Sequence, residues 1–151
     1  MTIILFFLYI ILTAVFLALW EIQIEGSNGW AAKLPTWQKK NNFTKVILGG
    51  RPLTGYHLLL VFTILTLIHL SVFFTKWSWH TEAMIIGFFL VMITLEDFLW
   101  FVLNPAWGLS KFKRSDELWW HPSWFIGLPT FYWFTLTIGI LAILWGFAII
   151  G

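Results

Sequence analysis

Four long apolar runs alternate with polar segments along the chain. Thr2 to Trp20 and Phe131 to Ile150 carry no charge. His57 to Thr75 has only His57 and His69 as ionisable residues, and Ala83 to Leu103 is interrupted by Glu96 and Asp97. A helix needs about 20 mainly apolar residues to cross the hydrocarbon core of a bilayer, and each run is near that length. None shows the period-two alternation of a strand. The pattern predicts an all-α integral membrane protein, a four-transmembrane-helix bundle with helices over about 2–24, 57–75, 83–103 and 129–150. Residues 1–151 then form a single membrane domain with two long interfacial loops, about 25–56 and 104–128.

The polar segments set an expected orientation. Lys33, Lys39, Lys40, Lys45 and Arg51 lie in the first loop and Lys111, Lys113 and Arg114 in the third, against Lys76 alone in the second. Positive residues concentrate on the cytoplasmic side, which predicts N-out/C-out topology in the plasma (inner) membrane with both long loops cytoplasmic. The first run lacks a basic start and an Ala-x-Ala site, so it reads as a retained helix and not a cleaved leader. The first loop mixes turn-forming Gly and Pro with Trp30, Leu34, Trp37, Phe43, Val46, Ile47 and Leu48, so it is expected to lie on or dip into the interface.

Composition agrees with the pattern. The chain is 60% hydrophobic and 11% charged, where soluble domains carry about 25% charged residues. The absence of Cys removes disulfides, thiolate ligands and a Cys nucleophile. A net charge of +2 with no basic stripe argues for no nucleic acid partner. Trp20, Trp30, Trp37, Trp100, Trp107, Trp119, Trp120 and Trp124 gather near the expected cytoplasmic boundary, which reads as an aromatic belt. Their excess on that side also suits the wall of an amphiphile-binding groove. Gly139, Ala142 and Gly146 form a small-residue stripe on the last helix, suited to close helix contact.

Ionisable residues at membrane depth mark the candidate chemistry. Glu96 and Asp97 fall roughly 10 Å inside the cytoplasmic end of the third helix, at 1.5 Å per residue. Glu21 and Glu25 share a face at the matching end of the first helix, His57 opens the second, and His121 precedes the fourth. Carboxylates with imidazoles suit a divalent transition metal such as iron, manganese or zinc, and helix bundles hold metal pairs with four carboxylates and two His. The number of donors matches, but the Glu-x-x-His spacing is absent. The metal set would be Glu21, Glu25, His57, Glu96, Asp97 and His121, with Glu96, Asp97 and His121 catalytic and Arg51, Tyr56 and Asn104 orienting a polar head group. The plainer alternatives pair Glu21 and Glu25 with loop lysines, and Glu96 and Asp97 with Arg51, Lys111 or Arg114. His69 reads as an interhelical donor or, alternatively, an axial haem ligand. His80 and Glu82 look solvent-facing, and Asp116 and Glu117 belong to a solvated charge cluster.

No P-loop, G-x-S-x-G, H-E-x-x-H or G-x-G-x-x-G is present. The leading expectation is a small membrane-embedded metal-dependent enzyme, hydrolase or oxidoreductase, acting on a lipid or other amphiphile at the cytoplasmic face. The alternatives are a non-enzymatic membrane subunit or scaffold binding lipid, haem or a partner protein, and a proton- or ion-coupled transporter. Expected partners are membrane lipids and a homo-oligomer or larger membrane complex.

Overall fold

Short polar side chains start three of the four long helices. The structure is a computed structural model that describes residues 2–42, 44, 48, 51–112, 118 and 120–148. Helix α1 spans Ile3–Glu25, with the Thr2 hydroxyl accepting from the Leu5 N–H at 3.4 Å. Helix α2, Gly55–His69, is capped by Thr54 and tightens into a 3₁₀ turn over Leu70–Phe73. Helix α3, Trp79–Leu103, is capped by Ser78, and a short α4 covers Gly108–Phe112. Helix α5, Thr130–Phe147, ends the fold. All four long helices are long and apolar enough to cross a membrane, counting the 3₁₀ turn with α2.

The expected runs are thus present with shifted ends. Caps at Thr54 and Ser78 start α2 and α3 earlier than the apolar runs do, because a side-chain oxygen satisfies the first orphan N–H groups. Two small antiparallel ribbons occupy the loops: β1 (Gln38–Lys39) pairs with β2 (Leu53–Thr54), and β3 (Trp124–Phe125) with β4 (Leu128–Pro129). Phe43, Lys45, Val46, Ile47, Lys113, Arg114, Asp116, Glu117 and Trp119 lie outside the described residues.

Helix α3 is the centre of the bundle, packed between α1 and α5. Its contact with α5 depends on glycine. A Cβ at Gly87 would stand 2.7 Å from the Gly139 carbonyl oxygen, and one at Gly146 would stand 2.2 Å from Met84 Cγ. Two members of the small-residue stripe, Gly139 and Gly146, therefore serve the contact, with Ile143 buried between them. The Thr94 and Thr135 hydroxyls bridge the same helices at 2.6 Å. A Gly87→Leu variant is expected to lose about 3 kcal/mol of stability by overpacking against backbone that cannot yield. Thermal unfolding in detergent reads this, with the outward-facing Leu141→Ala as the unaffected control.

Helix α2 stands apart: Gly55 is its one buried residue. The core instead forms in two stacked clusters among α1, α3 and α5. One is aliphatic and aromatic around Ile10, Ala14, Phe88, Val91, Met92 and Ile143. The other lies at the loop-rich end around Ile22, Trp100, Phe101, Phe112, Trp120 and Tyr132. Trp100 and Trp120 are each 4% exposed and pack with Trp107 and Phe101, so both belong to an aromatic core and not to a surface belt.

The segments after α1 and α3 dock on each other at this end. Gly26 closes α1 with φ +62°, its N–H bonded to the Ile22 carbonyl at 2.9 Å. Asn104 then donates to the Gly26 carbonyl at 2.7 Å, and Trp107 to the Ser27 carbonyl at 3.1 Å. A Cβ at Gly29 would meet Trp120 at 2.5 Å, so only glycine lets the loop lie against that ring. This docking places Gly29 and Trp30 beside Glu25 on the wall of the space between α2 and the rest of the bundle.

Candidate functional site: a polar cluster over an apolar cavity

A cavity of about 450 Å³ lies between α2 and the α1–α3 pair at the loop-rich end. Its walls are apolar, among them Leu17, Leu58, Val61, Phe89 and Ile93. Its ionisable lining is Glu21, Glu25, Arg51, His57, Glu96 and Asp97. Five of the six candidate metal residues thus line one space, and the sixth, His121, reaches it through Asp97.

The charged groups are held in pairs. Because α1 continues to Glu25, Glu21 and Glu25 share a face as expected, and both are buried. Glu21 accepts from the Tyr56 hydroxyl at 3.1 Å and lies within hydrogen-bonding reach of the Glu96 carboxyl. Two carboxyl groups in that contact need a proton or a cation between them. Glu25 accepts from the Ala31 N–H and lies 3.7 Å from His57 Nε2. Asp97 accepts from the Tyr132 hydroxyl, and His121 Nε2 approaches the same carboxylate oxygen at 2.9 Å, off the N–H axis. Although Glu96 and Asp97 point about 100° apart as neighbours on a helix, both line the cavity. Glu96 turns to α1, and Asp97 turns to His121 and α5.

His57 is fixed from three sides. Its Nδ1 contacts the Thr54 hydroxyl at 2.7 Å, Trp30 stacks on its ring at 4.2 Å between centroids, and Tyr56 meets it edge-on. Trp30 and Ala31 both hold positive φ, at 57° and 50°. A bulky side chain rarely adopts that region, and strain of this kind persists only where the surroundings enforce it. Here the enforcing contacts are the Trp30 indole N–H to the Pro52 carbonyl at 2.8 Å and the Ala31 N–H to Glu25.

Arg51 is 7% exposed, its guanidinium 4.4 Å from the Trp30 ring centre and 5.4 Å from that of Phe131. Its Nε donates to the Leu48 carbonyl at 3.2 Å, and among the described residues the other guanidinium N–H groups make no hydrogen bond. Burial holds the guanidinium below its ordinary pKa, while Asp97 and Tyr132 act in the opposite direction. No loop cation pairs with Glu96 among the described residues.

Among the described residues, two buried polar atoms on residues lining the cavity have no hydrogen-bond partner: Glu96 Oε1 and Trp100 Nε1. One accepts and the other donates. Among the described residues no three His, Asp or Glu side chains form a group able to hold a metal ion. Asn104 has both ends of its amide engaged, to the Gly26 carbonyl and the Ala106 N–H, and secures the loop docking. Lys111 bonds the Ala106 carbonyl beside Trp107.

His69 lies at the other end of α2, away from the cluster. Its ring contacts the Leu65 carbonyl at 2.7 Å and Glu82 at 3.0 Å, tying α2 to the first turn of α3. Glu82 is therefore an interhelical partner. Trp30 and Trp100, expected in an aromatic belt or a groove wall, line the cavity, and Thr54 and Tyr132 are site residues that the sequence did not single out. Of these two, Tyr132 offered a signal, a phenol near the start of an apolar helix. Comparison with family models, curated proteins and solved structures gives no match.

Proposed function

We propose that this chain is a membrane-embedded enzyme that takes the polar head of an amphiphile into the cavity and acts on it by acid–base chemistry. The observation that carries this reading is the pair of buried atoms without a hydrogen-bond partner among the described residues, Glu96 Oε1 and Trp100 Nε1, in a mainly apolar cavity. Leaving buried polar atoms unpaired costs about 1–3 kcal/mol each, a cost that a bound head group removes. Asp97, braced by His121 and Tyr132, is the general base. The Glu21–Glu96 pair is the proton reservoir, and Arg51 presents its free N–H groups to an anionic head. With the basic loops on the cytoplasmic side, the cavity opens at the cytoplasmic leaflet. Among the described residues neither Arg51 nor Lys111 pairs with Glu96, which favours the site reading over a purely structural acidic cluster. The apolar lining between Glu96 and His69 disfavours an ion path.

The test is a comparison of lipid composition over time in vesicles of native lipid extract. Wild-type protein should consume or form at least one lipid species that the shape-preserving Asp97→Asn variant leaves constant. Unchanged profiles with both proteins would overturn the enzymatic reading and leave the subunit or scaffold role.

A second reading of the same residues starts from the Glu21–Glu96 contact, where a divalent metal would take the place of the shared proton. Iron, manganese or zinc there would draw further donors from His57, Glu25, Asp97 and His121 and would activate water. Elemental analysis of protein purified without chelators distinguishes the two. The metal reading predicts a near-stoichiometric transition metal that Glu96→Ala loses, and the shared-proton reading predicts none in either sample.

A further inference from the structure

We infer that the space along α2 holds the hydrocarbon chain of the amphiphile, running from the polar cluster to the far end of the bundle. This rests on the reading of the cluster as a head-group site and adds the tail to it. A second cavity of about 660 Å³ continues the first, sharing Leu17, Ile64 and Met92 with it, and extends to Phe6 on α1 and to Phe74 and Thr75 beyond α2. From Phe6 to Glu21 along α1 is roughly 22 Å at 1.5 Å per residue, most of a hydrocarbon core about 30 Å thick.

The lining selects hydrocarbon. Its Ser and Thr hydroxyl groups are already satisfied: Thr13 donates to the Tyr9 carbonyl at 2.8 Å, Ser71 to Ile68 at 2.9 Å and Thr75 to Ser71 at 3.0 Å. Thr81 contacts Ser78 at 3.0 Å. Unlike the head-group end, this stretch has no buried side-chain polar atom without a partner among the described residues. The gap also fits the shallow packing of α2, which buries only Gly55 and rests on the core through the partly buried Ile64 and Ile68. A helix of a second copy is about 10 Å across and would have to displace α2, whereas an alkyl chain fits beneath it. Apolar cavities of this kind take apolar ligands in place of water.

The test uses two alkyl phosphates with a photoreactive diazirine at the chain terminus, one chain twice the length of the other, on protein in detergent and in vesicles. The short probe should label around Leu17, Ile64 and Met92, and the long probe around Phe74, Thr75 and Met84. Ile64→Trp should block the long probe from the far end while the short probe still labels Leu17. Ser71→Trp, on the half-exposed 3₁₀ turn, narrows the far end instead and serves if Ile64→Trp does not fold as a monodisperse species. Short-probe labelling with no long-probe adducts at the far end would overturn the tail groove and leave the head-group site standing. Adducts spread evenly over outward residues such as Leu8, Phe62 and Leu141, or long-probe crosslinks between two copies, would overturn it as well. No cavity labelling by either probe would remove both readings.

Discussion

Replacing His121 with Leu is expected to lower the thermal midpoint of the detergent-solubilised protein by about 10 °C. The imidazole is 1% exposed in its side chain and lies 2.9 Å from an Asp97 oxygen that is otherwise supported by Tyr132. Removing a polar partner from a largely buried carboxylate costs about 3 kcal/mol, and each kcal/mol shifts the midpoint by about 2–4 °C at this chain length. The double variant Asp97→Leu/His121→Leu should recover most of that loss, because the uncompensated carboxylate is gone. Recovery separates electrostatic pairing from simple packing. If the double variant is less stable than the single one, the pair is not what holds this end of α3 to the segment before α5.

Arg51→Met should weaken binding of a short alkyl phosphate by about 30-fold and leave binding of an uncharged alkyl glycoside nearly unchanged. A hydrogen bond to a charged group contributes about 1.5–3 kcal/mol, and each 1.4 kcal/mol is a factor of ten in affinity. Met keeps the length of the side chain between Trp30 and Phe131 while removing the free N–H groups. The readout is quenching or enhancement of the indoles that line the cavity, Trp30, Trp100 and Trp120. Equal loss for both probes would mean that Arg51 supports the loop and does not read the head group.

The four long helices were legible in the sequence because each apolar run matches a bilayer in length and nothing else competes for that pattern. The starts of α2 and α3 were not, because Thr54 and Ser78 begin those helices ahead of the apolar residues. That error had consequences. With α3 beginning at Trp79, Glu82 falls in its first turn and meets His69, where the apolar run had left it in a loop. The candidate site was legible as a collection: depth arithmetic gathered Glu21, Glu25, His57, Glu96, Asp97 and His121 from separate segments, and the fold brings them to one end. Their pairing was not legible. It depends on Trp30 and Ala31 adopting positive φ and on Asn104 fastening the first loop to α3, and neither leaves a trace in hydropathy. Trp100 and Trp120 show the limit of the belt argument, since a Trp at interfacial depth is equally placed to fill the end of a helical core.

The most direct test of the polar cavity as a head-group site is photolabelling with an alkyl phosphate whose diazirine sits beside the phosphate, followed by mapping of the modified residues. Adducts on Glu21, Glu96 or Trp30 that disappear with excess unlabelled alkyl phosphate are the result the account predicts. Adducts confined to outward residues such as Phe16 and Leu59, with the cavity unmodified, would contradict it.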